Sequence, residues 1–214
     1  MENNPRPHFY RAWDFWLLMG LLTVCSNPFV PGGPRFWALY PTLVEAGEFW
    51  RIFTYAFAHL TWYHFLLDCV PFLVLYCTLE ESSVTCRLIF VLAGDIGSMF
   101  AALVLSPIVY QIGLYGMSGI TYGIMAVSAL ETIYNHPDDR VRGWTGVGVF
   151  AALAVMVVFE LATGKFPFER LLFGMVGTPI LTCHAGGVTG CVLAFFGCRY
   201  LRRFVCERAP GGVK

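Results

Sequence analysis

Residues 113–123, "GLYGMSGITYG", set Ser118 between Gly116 and Gly119 at the mouth of a long apolar run. Small residues at such a point allow two helices to approach closely, and a serine there can be a packing residue and nothing more. The same serine can also be a nucleophile, in which case a base must reach the same depth from elsewhere in the chain. The choice depends on whether the run that follows crosses a bilayer.

Composition points to a membrane. Of 214 residues, 57% are hydrophobic and 13% charged, with a mean hydropathy of +0.63, whereas a soluble domain carries about 25% charged residues. Six windows are long and apolar enough to be read as helical spans of a core about 30 Å thick. They run from about Ala12 to Val30, Trp62 to Leu79, Val84 to Leu105, Met117 to Tyr134, Gly143 to Ala162 and His184 to Tyr200. The first follows Arg6 and Arg11 as a signal peptide would, but no small-x-small cleavage site comes after it, so it is read as a membrane helix. The expected fold is therefore all-α, a polytopic six-helix membrane bundle forming a single domain over residues 1–214.

Lysine and arginine give this bundle an orientation. With six spans, Arg6, Arg11, Arg87, Arg140, Arg142, Arg199, Arg202, Arg203, Arg208 and Lys214 share one side, and Arg35, Arg51, Lys165 and Arg170 the other. Positive residues favour the cytoplasm, so both termini are expected there, as for a multi-pass protein of a bacterial inner membrane or its equivalent. Formal net charge is zero, and nothing suggests a nucleic-acid partner. The eight cysteines include no CxxC pair, so neither a disulfide framework nor a zinc site is expected, and no metal or organic cofactor is implied. The connection from Pro31 to Thr61 is rich in aromatic residues and reads as a structured interfacial loop.

Alternating topology now places the serine. The fourth span starts on the outer side, so Ser118 falls in the first turn of its helix, where N–H groups lack partners and the dipole favours negative charge. The second and sixth spans enter from the same side, with His64 and His184 in their first turns. Gly119 and Gly123 on the fourth span, and Gly186 and Gly190 on the sixth, form small-xxx-small faces that would let Ser118 and His184 meet. A hydroxyl beside an imidazole is the minimum apparatus for acyl transfer, because the ring takes the serine proton and returns it to the leaving amine.

The stretches "GMSG" (116–119), "CHAGGVTG" (183–190) and "FWRIFTYAFAHLTWYHFLLD" (49–68) together resemble the rhomboid family of intramembrane serine proteases. The resemblance implies a six-helix bundle whose Ser118–His184 dyad lies in a water-filled cavity below the outer membrane surface. It also implies that the chain cleaves membrane-anchored, single-pass substrates within the lipid bilayer. Ser118 matches the nucleophile and His184 the general base. His64 matches an oxyanion-hole donor acting with the Ser118 N–H, and the motif glycines Gly116 and Gly119 flank the nucleophile. Tyr122 matches an aromatic that supports the catalytic histidine, and Trp50 and Arg51 match a Trp-Arg pair of the first loop. Asp68 stands where the family usually has asparagine. It is read either as a protonated donor, favoured by burial, or as an ionised partner of His64 or His184.

A narrower similarity joins "FELATGKFPFERLLFGMVGTPILTCHAGG" (159–187) to the rhombosortase subgroup, which implies substrates bearing C-terminal sorting tails. Two other readings stay open. Asp68 suits a catalytically inactive rhomboid-like binder of membrane helices. The span carboxylates Asp14, Asp95, Glu131 and Glu160 suit a small membrane transporter, although their basic partners are not evident within the spans. His59 reads as an interfacial loop contact.

Overall fold

The computed structural model describes residues 13–27, 29 and 31–208. Six long helices account for most of them: α1 (Trp13–Cys25), α2 (Trp62–Thr78), α3 (Val84–Leu105), α4 (Ser118–Asn135), α5 (Arg140–Thr163) and α6 (Thr182–Arg208). Arg6, Arg11, Lys214 and the sequence ending 209–214 lie outside the described residues.

Local chemistry sets the helix ends. Thr61, Ser83 and Asp139 each precede a helix and accept the N–H of the residue three positions on, so that α2, α3 and α5 begin on capped first turns. Helix α5 stops at Gly164, whose φ of 63° is left-handed and whose N–H returns to the Glu160 carbonyl at 2.8 Å.

The six expected windows each correspond to a helix, but the helices are unequal. Among the described residues, only α3 and α5, of 22 and 24 residues, are long and apolar enough by themselves to cross a membrane, and the segment Arg51–Phe57 with α2, bent by 93°, makes a third if the bent pair is one span. The described part of helix α1 has 13 residues, roughly 20 Å of rise. Helices α4 and α6 have the length, at 18 and 27 residues, but α4 carries Glu131 and several hydroxyls and α6 the basic residues Arg199, Arg202 and Arg203. By length and composition, two or three of the six expected spans are thus long and apolar enough to cross.

Glycine fixes the packing around α6. A Cβ on Gly186 would strike the Gly97 carbonyl of α3, and one on Gly190 would strike that of Ala93. A Cβ on Gly187 would strike the Gly119 carbonyl of α4. The expected pairing of the 119/123 face with the 186/190 face is therefore corrected: Gly186 and Gly190 seat α6 against α3, and Gly187 seats it against α4. The three glycines span two faces of one helix because successive residues are about 100° apart.

Apolar side chains fill the space between helices, with Leu22, Phe72, Phe90, Ile120, Ile124 and Val127 fully buried. At one end of the bundle, Glu131 of α4 accepts the N–H groups of Glu80 and Glu81 beyond α2, at 2.8 and 2.9 Å. Arg202 of α6 pairs with Glu81 at that end. Helices α2, α4 and α6 therefore all begin at the opposite end. The first loop folds over it as short helices Pro34–Trp37, Pro41–Glu45 and Arg51–Thr54 and a 3-10 turn Tyr55–Phe57. Leu39 and Leu114 exchange N–H···O bonds of 3.1 and 2.9 Å, tying this loop to the approach to Ser118.

Candidate active site

Gly116 is the backbone device that delivers Ser118. Its φ of 83° is left-handed, a conformation that L side chains rarely adopt. Its N–H donates to the Ala58 carbonyl at 2.9 Å, and a Cβ there would lie 2.5 Å from Asp68 Oδ2 and 2.6 Å from His64 Nε2. The chain turns tightly against α2 and enters α4 at Ser118. Gly119 serves a different purpose, packing against Ser98 and the α6 backbone.

Ser118 Oγ lies 3.1 Å from His184 Nε2. The imidazole is buried, stacked on the Tyr122 ring at a centroid separation of 3.9 Å and an interplanar angle of 15°. Its other nitrogen, Nδ1, is 2.7 Å from Glu160 Oε2, and Glu160 Oε1 accepts the Tyr122 hydroxyl at 2.9 Å. Four side chains from α4, α5 and α6 thus form one connected group.

A second group adjoins it. The Met117 N–H donates to Asp68 Oδ2 at 2.9 Å, and the same oxygen lies 3.4 Å from His64 Nε2 and 3.5 Å from His59 Nε2. His64 Nδ1 accepts the Leu60 N–H at 3.4 Å, which leaves the ring proton on Nε2, facing Asp68 and the space beside Ser118. Asp68 Oδ2 is thus used as an acceptor. His59, expected as an interfacial loop contact, is 2% exposed and sits against Asp68 with Ser26 Oγ 3.0 Å from its Nδ1.

These side chains border a cavity of about 790 Å³. Ser118, His184, His64, Asp68 and Tyr122 line one part, and Leu171, Leu172 and Val176 of the α5–α6 connection line another. That connection is held over α2 by Thr61 Oγ1 donating to the Met175 carbonyl at 2.7 Å and Tyr63 Oη donating to that of Leu171 at 2.5 Å. Trp50 and Arg51 lie apart from the cavity. The Arg51 guanidinium binds Glu48 and the carbonyls of Arg35 and Ala38, and Trp50 stacks on Phe36 at 5.6 Å. Both residues shape the first loop.

Three of the span carboxylates, Asp14, Glu131 and Glu160, acquire partners that the sequence did not suggest. Asp14 is bound by Arg87 at 2.7 Å and by the Tyr76 hydroxyl at 2.6 Å, Glu131 caps two backbone amides, and Glu160 holds His184. Glu160 is the site residue that sequence reasoning misses. A signal for it exists: α5 ends where α4 and α6 begin, so a carboxylate one turn from that end shares the depth of Ser118 and His184. Among the described residues, no group of three or more histidine, cysteine or acidic side chains is placed to hold a metal ion.

No curated protein matches the chain. Residues 46–200 match a family described as Rhomboid domain. The match covers most of the chain, from the first loop through α6, and so includes every residue of both polar groups apart from Ser26. On that match the chain is an integral membrane protein that belongs to the rhomboid family, whose members are typically intramembrane serine proteases.

Proposed function

We propose that the protein is an intramembrane serine endopeptidase in which Ser118 attacks the scissile carbonyl and His184 carries the proton. The observation that carries this reading is the 3.1 Å contact between Ser118 Oγ and His184 Nε2 on the wall of a cavity. Ser118 opens α4, where its own N–H has no intrahelical acceptor and the dipole favours a developing oxyanion. His64 Nε2–H is the second donor to that oxyanion. The substrate is a single-pass membrane protein, cleaved near the outer leaflet after its helix unwinds locally, since a helical carbonyl is already hydrogen-bonded.

The six helices all enter or cross the bilayer in this reading, with both termini cytoplasmic. Support comes from the excess of Lys and Arg at the end of the bundle away from the cavity. The narrower rhombosortase reading, with sorting tails as substrates, is supported by the 159–187 stretch alone.

Labelling with a fluorophosphonate probe tests the enzyme reading. The wild type should be labelled covalently, Ser118→Ala should not, and His184→Ala should lose labelling and substrate cleavage while keeping its helical content. Absence of wild-type labelling, with the protein folded, would turn the reading to a non-catalytic binder of membrane helices. Cysteine at Gly33 or Gly174, in an otherwise cysteine-free background, should react with an impermeant reagent from outside, and one at Asn135 should not.

A further inference from the structure

We propose that Glu160 orients His184 as a positioning residue, making the site a Ser118–His184–Glu160 triad. The inference rests on the endopeptidase reading and adds a third group to the dyad.

A carboxylate is acceptor-only, so the 2.7 Å contact from Glu160 Oε2 to His184 Nδ1 requires the ring proton to sit on Nδ1. The neutral imidazole then presents a lone pair at Nε2, the atom that faces Ser118 Oγ. The carboxylate is itself immobilised. Its Oε1 accepts the Tyr122 hydroxyl at 2.9 Å, and the residue is 1% exposed. One tyrosine thus fixes both partners, since its ring stacks on the imidazole while its hydroxyl holds the carboxylate.

The reaction uses this arrangement twice. Ser118 Oγ bonds to the scissile carbon as its proton passes to His184 Nε2, and the imidazolium formed lies against Glu160. Collapse of the intermediate breaks the C–N bond, and the Nε2 proton goes to the leaving amine. Water then gives a proton to Nε2 and its oxygen bonds to the acyl carbon; the C–Oγ bond breaks and the proton returns to Oγ. Glu160 stays ionised throughout and stabilises the cation in each half.

A carboxylate that merely tied α5 to α4 and α6 would behave differently under substitution. Glu160 is absent from the cavity wall, so Glu160→Gln should leave KM near the wild-type value while kcat falls roughly 10²- to 10⁴-fold. Glu160→Asp should recover part of kcat, and Tyr122→Phe, which spares the His184 contact, should lose less than Glu160→Gln. Fluorophosphonate labelling of the same detergent-solubilised proteins should slow in the same order. Unlabelled wild type would defeat the endopeptidase reading itself, whereas labelled wild type with Glu160→Gln reacting at the wild-type rate would overturn the triad alone. If Glu160→Gln does not fold, the wild type still decides. In ¹⁵N-histidine-labelled protein, at a pH where the His184 ring is neutral, the proton should reside on Nδ1, and a proton on Nε2 would overturn the proposal.

Discussion

The Met117 N–H and Asp68 Oδ2 are joined at 2.9 Å, a bond from the residue before Ser118 to a carboxylate 49 positions earlier in α2. It fixes the last peptide before α4 and makes Asp68 an acceptor. Asparagine at this position keeps an acceptor oxygen for Met117 but gives up the second carboxyl oxygen beside His59 and His64. We therefore expect Asp68→Asn to fold and to retain reduced activity. Asp68→Ala leaves the buried Met117 amide unpaired, a defect of about 1–3 kcal/mol, and should lower both the melting temperature and kcat/KM further than Asp68→Asn. Equal activity in the two variants would show that the Met117 bond does not matter.

Gly116 should tolerate no side chain. Alanine there meets two penalties, a left-handed φ and a Cβ placed 2.5–2.6 Å from Asp68 Oδ2 and His64 Nε2. Displacing His64 removes the proposed oxyanion donor, an effect expected to be about 10²- to 10³-fold in kcat. Gly116→Ala should therefore be no more active than His64→Ala in steady-state cleavage, and if it retained wild-type kcat the proposed oxyanion geometry would be wrong.

How far the sequence is legible follows from which arguments survive without tertiary structure. Hydropathy locates all six helices, because length and composition are local properties. It misjudges α1, which ends at Cys25 rather than running on to Val30, ahead of the proline-bearing stretch 28–34. Depth alone brings Ser118, His64 and His184 together, since alternating direction through a membrane needs no knowledge of packing. Rotation about a helix axis is not legible. The sequence offers Gly186, Gly187 and Gly190 without saying which neighbour each faces, and the pattern of four favours the wrong pair. Glu160 escapes for a related reason: a search for its partner among basic residues passes over histidine, which donates to a carboxylate without carrying a fixed charge. His59 lies beyond reach because its partner Asp68 is on a different element, at a bend of 93°.

Spacing between α4 and α6 sets the Ser118–His184 distance, so Gly187 should matter more to catalysis than to folding. It lies one turn after His184, and a Cβ there would press on the Gly119 carbonyl one residue after Ser118. Overpacking of this kind costs about 1–3 kcal/mol, which a helical bundle can survive, yet a shift of about 1 Å between reacting groups can reduce turnover by roughly 10². Gly187→Ala should show a large loss of kcat with a modest loss of thermal stability. Gly197 on the same helix has nothing within 4 Å of the position a methyl group would take and serves as the control, since Gly197→Ala should change neither.

The opposite end of the bundle should show the reverse pattern. Asp14, Arg87 and Tyr76 join α1, α3 and α2 through a buried ion pair of 2.7 Å and a hydroxyl bond of 2.6 Å. Removing one member leaves a buried charge uncompensated, at about 3–5 kcal/mol. Arg87→Ala should lower the melting temperature sharply, while kcat and KM of the folded protein stay near wild type. Replacing both Asp14 and Arg87 by leucine and methionine should restore much of the stability.

Cys183 gives a chemical test of the site that needs no substrate. Its Sγ lies 3.8 Å from Ser118 Oγ, and it is the cysteine that borders the cavity among the described residues. The other cysteines with described side chains do not line it. A small reagent such as methyl methanethiosulfonate should reach Cys183 through the cavity, place a methylthio group against Ser118 and block its fluorophosphonate labelling. Reduction with dithiothreitol should restore labelling, because the modification is a disulfide. Cys183→Ala should be labelled whether or not it has been treated with the reagent, and if its labelling were still blocked, a thiol elsewhere would be responsible and the assignment of Cys183 to the wall of the active cavity would fail.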